Sequence, residues 1–186
     1  MNLPKVLLIS GKRKSGKDYI SEKLLNIIGK EKSSIVRISE PIKSHYAKEN
    51  NLDLAELMSD NKYKEKYRLQ MIIWSDQVRD KDPGYFCRAA CEKSVIKPVW
   101  IVSDIRRRTD IEWFKKTYGD QIKTVRIYAD EKTRTGKGYV FTPGVDDGIS
   151  ECGLDDYTDW DLSITNNNSQ EGDQAIETIL NLLNYS

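Results

Sequence analysis

Gly11 and Gly16 flank Lys12, Arg13, Lys14 and Ser15, and Lys17 and Asp18 follow at once. This G-x-x-x-x-G-K spacing is the one a phosphate-cradling loop needs. Glycines let the backbone turn tightly, N–H groups point at the phosphate oxygens, and the lysine reaches the β- and γ-phosphates. Such a loop works only between a strand and a helix, whose N-terminal dipole favours negative charge. Here the apolar run Val6-Leu7-Leu8-Ile9 precedes it, and Tyr19-Ile20, Leu24-Leu25 and Ile27-Ile28 follow at helical spacing. The predicted ligand is a nucleoside triphosphate, ATP, held by residues 12–18. Asp18 stands where Ser or Thr usually contacts Mg²⁺. A carboxylate suits that hard ion, directly or through water. Asp104, at the end of the apolar run Trp100-Ile101-Val102, is a second candidate for the metal.

Five short apolar runs read as strands, at residues 5–10, 34–39, 98–103, 122–129 and 161–165. Helical patterns lie between them, at residues 17–28, 41–49, 63–81, 85–95 and 110–118, and residues 169–183 close the chain. Tyr63, Tyr67, Met71, Trp74 and Val78 form an apolar stripe on the longest of these. Asp82-Pro83-Gly84 breaks the chain before the next helix. Alternating strands and helices predict a three-layer α/β/α architecture on a parallel five-stranded sheet. Residues 1–186 read as one domain, with a helical substrate-binding region at 40–97. The polar, Gly-containing stretch 132–147 is open to two readings, a mobile flap or an ordinary surface loop.

The chain holds 30 Lys and Arg against 29 Asp and Glu, a net charge of +1. No global field points to nucleic acid or to an anionic membrane. The cations gather locally instead, at residues 12–17, 106–108 and 132–137, which suits a small polyanion better than a polymer. No apolar run approaches membrane length. The three cysteines, Cys87, Cys91 and Cys152, with no signal-peptide pattern, predict reduced thiols and a cytosolic protein. Cys87 and Cys91 lie four apart on one helix face and read as buried apolar side chains. His45, the one histidine, leaves no set of metal-ligand spacing. It reads as structural.

In an open parallel sheet, ligands bind outside the carboxyl ends of the strands. After the first predicted strand comes the phosphate loop, and after the second Pro41 and Lys43. Asp104, Arg106, Arg107 and Arg108 follow the third, Arg134 and Lys137 the fourth, and Asn166 and Asn167 the fifth. These cations exceed what ATP requires, so the acceptor is predicted to be anionic. A phosphate acceptor, with a second pKa of roughly 6, is already largely ionised and needs no catalytic base. The GTPase Asn-Lys-x-Asp signature is missing, since Asn61-Lys62-Tyr63-Lys64 lacks the acid and follows no strand. Ser103-Asp104-Ile105-Arg106-Arg107 replaces the Asp-Gly-Phe-Pro-Arg segment of nucleotide kinases.

Four motifs together resemble the phosphomevalonate kinase family of animals, nearly over the whole chain. They are Ser10-Gly11-Lys12-Arg13-Lys14-Ser15-Gly16-Lys17-Asp18, Asp82-Pro83-Gly84-Tyr85-Phe86-Cys87-Arg88, Trp100-Ile101-Val102-Ser103-Asp104-Ile105-Arg106-Arg107, and Phe141-Thr142-Pro143-Gly144-Val145-Asp146-Asp147 running on to Ser150-Glu151-Cys152-Gly153-Leu154-Asp155. Asp18 after Lys17 is that family's own form of the loop. The resemblance implies a nucleoside-monophosphate-kinase-like fold and transfer of the ATP γ-phosphoryl to 5-phosphomevalonate. It implies nucleotide-binding and catalytic roles for Lys12, Arg13, Lys14, Ser15, Gly16, Lys17 and Asp18, with Arg106 and Arg107 also catalytic. It implies substrate-side cations at Arg79, Arg88, Arg106, Arg107 and Arg126, joined by Lys43, Lys64 and Arg68. Arg134 resembles a lid arginine within a lid at 130–141. Lys137 stands where the family has a second lid arginine, and keeps the charge without the bidentate fork. Asn166 is assigned to the substrate side and Asn167 to the nucleotide, the latter where the family shows His. The expectation is a monomeric cytosolic kinase using ATP and Mg²⁺. Two other readings stay open, a kinase for another phosphorylated metabolite or nucleotide and a non-catalytic ATP-binding module.

Overall fold

The computed structural model describes residues 3–59 and 62–185. Five parallel strands, β1 (Lys5–Gly11), β2 (Ser33–Val36), β3 (Val99–Ile105), β4 (Ile122–Tyr128) and β5 (Leu162–Thr165), form one sheet in the order β2-β3-β1-β4-β5. From β1 the chain winds to one side through β2 and β3, then crosses to the other through β4 and β5. The carboxyl end of β1 therefore opens on the crevice where such sheets bind ligands.

Strand residues alternate between two cores. Val6, Leu8, Trp100 and Val102 face one side, packed with Phe86, Ile111 and Phe114. Leu7, Ile9, Ile101 and Val125 face the other, packed with Ile20, Leu24, Ala175 and Ile179. Helices α1 (Lys17–Ile28) and α9 (Ser169–Leu182) supply the second cover. α5 (Tyr85–Lys93) and α6 (Arg108–Tyr118) supply most of the first. This is the three-layer arrangement expected of apolar strands covered on both faces. Gly84 is required where α5 meets α6, because a Cβ there would lie 2.2 Å from Trp113 Cδ1.

Between β2 and β3 the chain builds α2 (Ser39–Asn50), α3 (Leu54–Met58) and α4 (Lys62–Lys81) ahead of α5. Tyr46, Ala47, Leu57 and Met71 join them in a third apolar cluster, with Tyr63, Tyr67 and Trp74 packed against it. The predicted stripe on α4 is thus its inward face.

β2 ends at Val36, three residues short of the predicted strand 34–39. The two oxygens of Asp104 accept from Ile38 N and Ser39 N, each at 2.8 Å, and that carboxylate starts α2 where the strand pattern would continue. β3 runs past residue 103 to Ile105, after a register shift between Leu8 and Ser10. There Ser10 Oγ donates to Ile105 O at 2.8 Å. Stretch 132–147 is not an unstructured loop. It includes most of α7 (Glu131–Gly136), which is capped by Asp130. A further short helix, α8 (Ile149–Cys152), follows.

Candidate active site

The loop between β1 and α1 has the backbone its glycines predict. Gly16 has φ 89° and Lys14 φ 61°, both left-handed. A Cβ on Gly16 would lie 2.2 Å from Asn166 Nδ2 and 3.5 Å from Lys137 Nζ. Its peptide oxygens are held from outside: Asn166 Nδ2 donates to Ser15 O at 2.9 Å and Arg134 Nε to Arg13 O at 2.8 Å. The first N–H groups of α1 have no partner within the helix and are directed at whatever the loop encloses.

Lys17 is 5% exposed. Burial, and then the Arg106 guanidinium, push its ammonium pKa down to about 8, against the opposing charges of Asp18, Glu151 and Asp104. A buried cation held this way gains most from a polyanion placed beside it.

Lys17 opens onto a cavity of about 390 Å³ at the carboxyl ends of β1 and β3. The structure brings eight of the predicted residues to its walls besides Lys17: Asp18, Lys43, Lys64, Arg68, Arg79, Asp104, Arg106 and Arg107. α2 supplies Lys43, α4 supplies Lys64, Arg68 and Arg79, and the turn after β3 supplies the arginine pair. Burial lowers the Lys43 pKa, with Lys64 adding repulsion. So many cations around one space repel one another unless anions intervene.

Carboxylates, two of them buried, pair with the arginines. Asp110 is wholly buried in the first turn of α6. Its Oδ1 pairs with Arg79 Nη1 at 2.5 Å. Its Oδ2 accepts from Arg106 N at 3.2 Å and Arg107 N at 3.1 Å. Arg107 pairs with Asp76, Arg106 with Glu151, and Arg68 with Glu65. Arg79 Nε and Arg107 Nη1 are buried donors without a hydrogen-bond acceptor among the described residues. Sequence reasoning passed over Asp110, Asp76 and Glu151, and Arg37, Ser39 and Ser75 as cavity residues. Of these, Asp110 carried a readable signal, as an acid at the predicted start of a helix, and Glu151 stands in one of the motifs that carry the family resemblance.

Other predicted residues lie elsewhere. Arg126, on β4, is 3% exposed, donating to Ser10 Oγ at 2.8 Å and pairing with Asp155 at 3.0 Å. Neither it nor Lys12, which holds Asp155 at 2.6 Å, lines the cavity. Arg88 is exposed and paired with Asp82, outside the residues that line the cavity. Arg13 pairs with Asp146 at 2.9 Å. Arg134 stacks over Tyr139 at 3.9 Å while reaching the phosphate loop. Asn166, expected on the acceptor side, is at the phosphate loop instead, and its Oδ1 would lie 2.9 Å from a Cβ on Gly172. Asn167 Oδ1 accepts from Asp130 N at 2.8 Å, tying β5's end to the start of α7. Ser15 Oγ is buried without a hydrogen-bond partner among the described residues. His45 contacts Tyr85 edge-on, outside the cavity lining. Cys87 and Cys91 are buried and unpaired.

Among the described residues no group of three or more His, Cys, Asp or Glu side chains is placed to hold a metal. Asp18 and Asp104 line the cavity beside Lys17. That donor set fits Mg²⁺, which takes one or two carboxylates and completes its shell with phosphate oxygens and water. Asp104 already accepts two backbone N–H groups, so a water-bridged contact suits it. The arrangement as a whole can grip a triphosphate at one end and a second anion at the other.

Comparison with known proteins gives one family. The family model for phosphomevalonate kinase matches residues 9–120. A phosphomevalonate kinase from Drosophila melanogaster is 49% identical over 183 residues, covering 96% of each chain. The crystal structure of a gluconokinase from Sinorhizobium meliloti 1021 superposes with a TM-score of 0.53 at 11% identity, over 100% of this chain and 98% of that one. This last likeness concerns the fold alone.

Proposed function

The chain belongs to the phosphomevalonate kinase family, and from that premise we propose that it transfers the γ-phosphoryl of ATP to 5-phosphomevalonate, releasing ADP and 5-diphosphomevalonate. One observation carries the proposal: Lys17 and a ring of seven further cations, Arg37 among them, share a single cavity. The loop end suits the triphosphate, and the arginine end suits an acceptor bearing a phosphate and a carboxylate. Arg79 Nε and Arg107 Nη1, buried donors lacking an acceptor among the described residues, support an anion at that end.

Phosphoryl transfer asks for positioning and charge neutralisation rather than a base. Lys17 offsets charge on the transferring group, and Arg106 and Arg107 orient the attacking phosphate oxygen. Asp18 and Asp104 would hold Mg²⁺, which when bound would supply charge neutralisation to the phosphates. Residues 40–97 form the acceptor-binding region and residues 130–141 the lid, within one domain. Arg134 and Lys137 reach over the nucleotide from that lid. Arg126 supports the loop from behind through Ser10 and Asp155, and Arg88 lies on the rim of the acceptor region. We also propose a monomer working in the cytosol. No helix among the described residues is long and apolar enough to cross a membrane.

The test is ADP release across a panel of acceptors: 5-phosphomevalonate, mevalonate, nucleoside monophosphates and gluconate. Turnover with 5-phosphomevalonate at least tenfold above the others is expected. Preference for another phosphorylated acceptor would reassign the substrate, and ATP binding without turnover of any would leave a binding module.

A further inference from the structure

The segment that follows the lid contributes a carboxylate for which phosphoryl transfer assigns no task. Glu151, on α8, has a side chain only 4% exposed. A buried carboxylate is tolerated where both oxygens are matched by donors, and here each is. Oε2 accepts from the backbone N–H of Arg13 in the phosphate loop at 2.9 Å. Oε1 pairs with Nη1 of Arg106, which also donates to Ser150 O at 3.4 Å. Arg13 follows β1 and Arg106 follows β3, strands that pair directly. One side chain therefore ties the loop that holds the donor to the guanidinium that faces the acceptor.

The Arg106 backbone is anchored by Asp110, but that bond leaves the long side chain free to rotate. Glu151 is what sets the direction of its guanidinium. The Arg13 N–H fixes Glu151 in turn, and Arg13 Nη1 holds Asp146 from the same segment at 2.9 Å. We propose that Glu151 is a positioning residue that sets Arg106 in register with the phosphate loop, so that donor and acceptor phosphates meet in line. Reactive geometry of this kind is sensitive to displacements of about 1 Å. The inference rests on the reading of the cavity as a phosphoryl-transfer site.

The test is a double-mutant cycle between Glu151→Gln and Arg106→Ala. Glutamine keeps the shape but offers one acceptor oxygen and a donor NH₂, so it satisfies Arg13 N–H or Arg106 and not both. Expected is a fall in kcat of roughly 10- to 100-fold, with the ATP Kd by calorimetry changed by less than about twofold. In the Arg106→Ala background the same change should have almost no effect on kcat. Full multiplication of the two effects would overturn the proposal, as would equal loss of ATP affinity or unchanged kcat in Glu151→Gln. Glu151→Asp serves the same cycle where the glutamine variant does not fold, since a shortened acid retains the charge and moves the guanidinium. If the unmodified protein fails to turn over 5-phosphomevalonate, the substrate reading fails instead, and the cycle is run with whichever phosphorylated acceptor is used. If none is used, inorganic phosphate affinity supplies the readout. A Glu151→Gln loss that disappears without Arg106 supports the inference, and one that persists refutes it.

Discussion

Lys17 carries its charge against its surroundings. In the unfolded chain its ammonium titrates near 10.5, and in the ligand-free fold at about 8. Between those values the unfolded state holds the proton that the folded state has released, so this group makes stability rise with pH across that window. Below about pH 8 the buried ammonium destabilises the empty protein by up to roughly 3 kcal/mol. Lys17→Met should therefore raise the melting temperature of the ligand-free protein at pH 7, most strongly below pH 8, while kcat falls by roughly 100-fold or more. A scanning-calorimetry comparison with steady-state kinetics checks both, and a variant losing stability as well as rate would contradict this account. Arg106→Ala should act on the other substrate. Losing a charged hydrogen bond worth about 1.5–3 kcal/mol raises the acceptor KM by roughly 10- to 100-fold, with the ATP KM little changed. The converse would move Arg106 to the nucleotide end. The cations of the cavity were legible because Lys17, Arg106 and Arg107 sit in fixed local motifs. Their carboxylate partners were not. Asp76 and Glu151 meet their arginines across 31 and 45 residues of chain, and no spacing rule connects such positions.

At the scale of elements, α7 is lightly packed, with no buried residue in its six. It is tied to the loop by Arg134 and to β5's end through Asn167 and Asp130. Two bound anions would add partners for Arg134 and Lys137 and slow its opening. Hydrogen exchange of residues 131–137 should fall on adding ATP and acceptor together, and less with either alone. Unchanged exchange in the ternary complex would remove the lid role. The strands and long helices were readable because burial on two faces or one stripe writes a period into the sequence. α3, α7 and α8 were missed because elements of four to six residues are too short to show a helical period. The end of β2 was misread because Arg37-Ile38 continues a strand-like pattern, and only Asp104, far along the chain, turns it into a helix start.

Across the whole molecule, the two cores share the sheet, so neither can open alone without stripping β1 and β3 of one face. Cys87 and Cys91 report on this. Burial holds the Cys87 thiol far above its usual range and pushes Cys91 up to about 11, and only the thiolate reacts. At pH 8 both should resist iodoacetamide until the protein unfolds globally, with Cys152, only partly buried, modified first. Mass spectrometry over time decides it. Alkylation of Cys87 much faster than global unfolding would mean that the first core opens on its own.

The amide of Asn166 is wedged between two glycines, with Gly16 against its nitrogen and Gly172 against its oxygen. One position near the start of the chain and two from a single stretch near its end thereby become one interlocking unit. Any mutational path that enlarges one of them must pass through a distorted glycine loop before a second change can repair it. Redesign of this enzyme for a different phosphate donor is best begun by varying the three together.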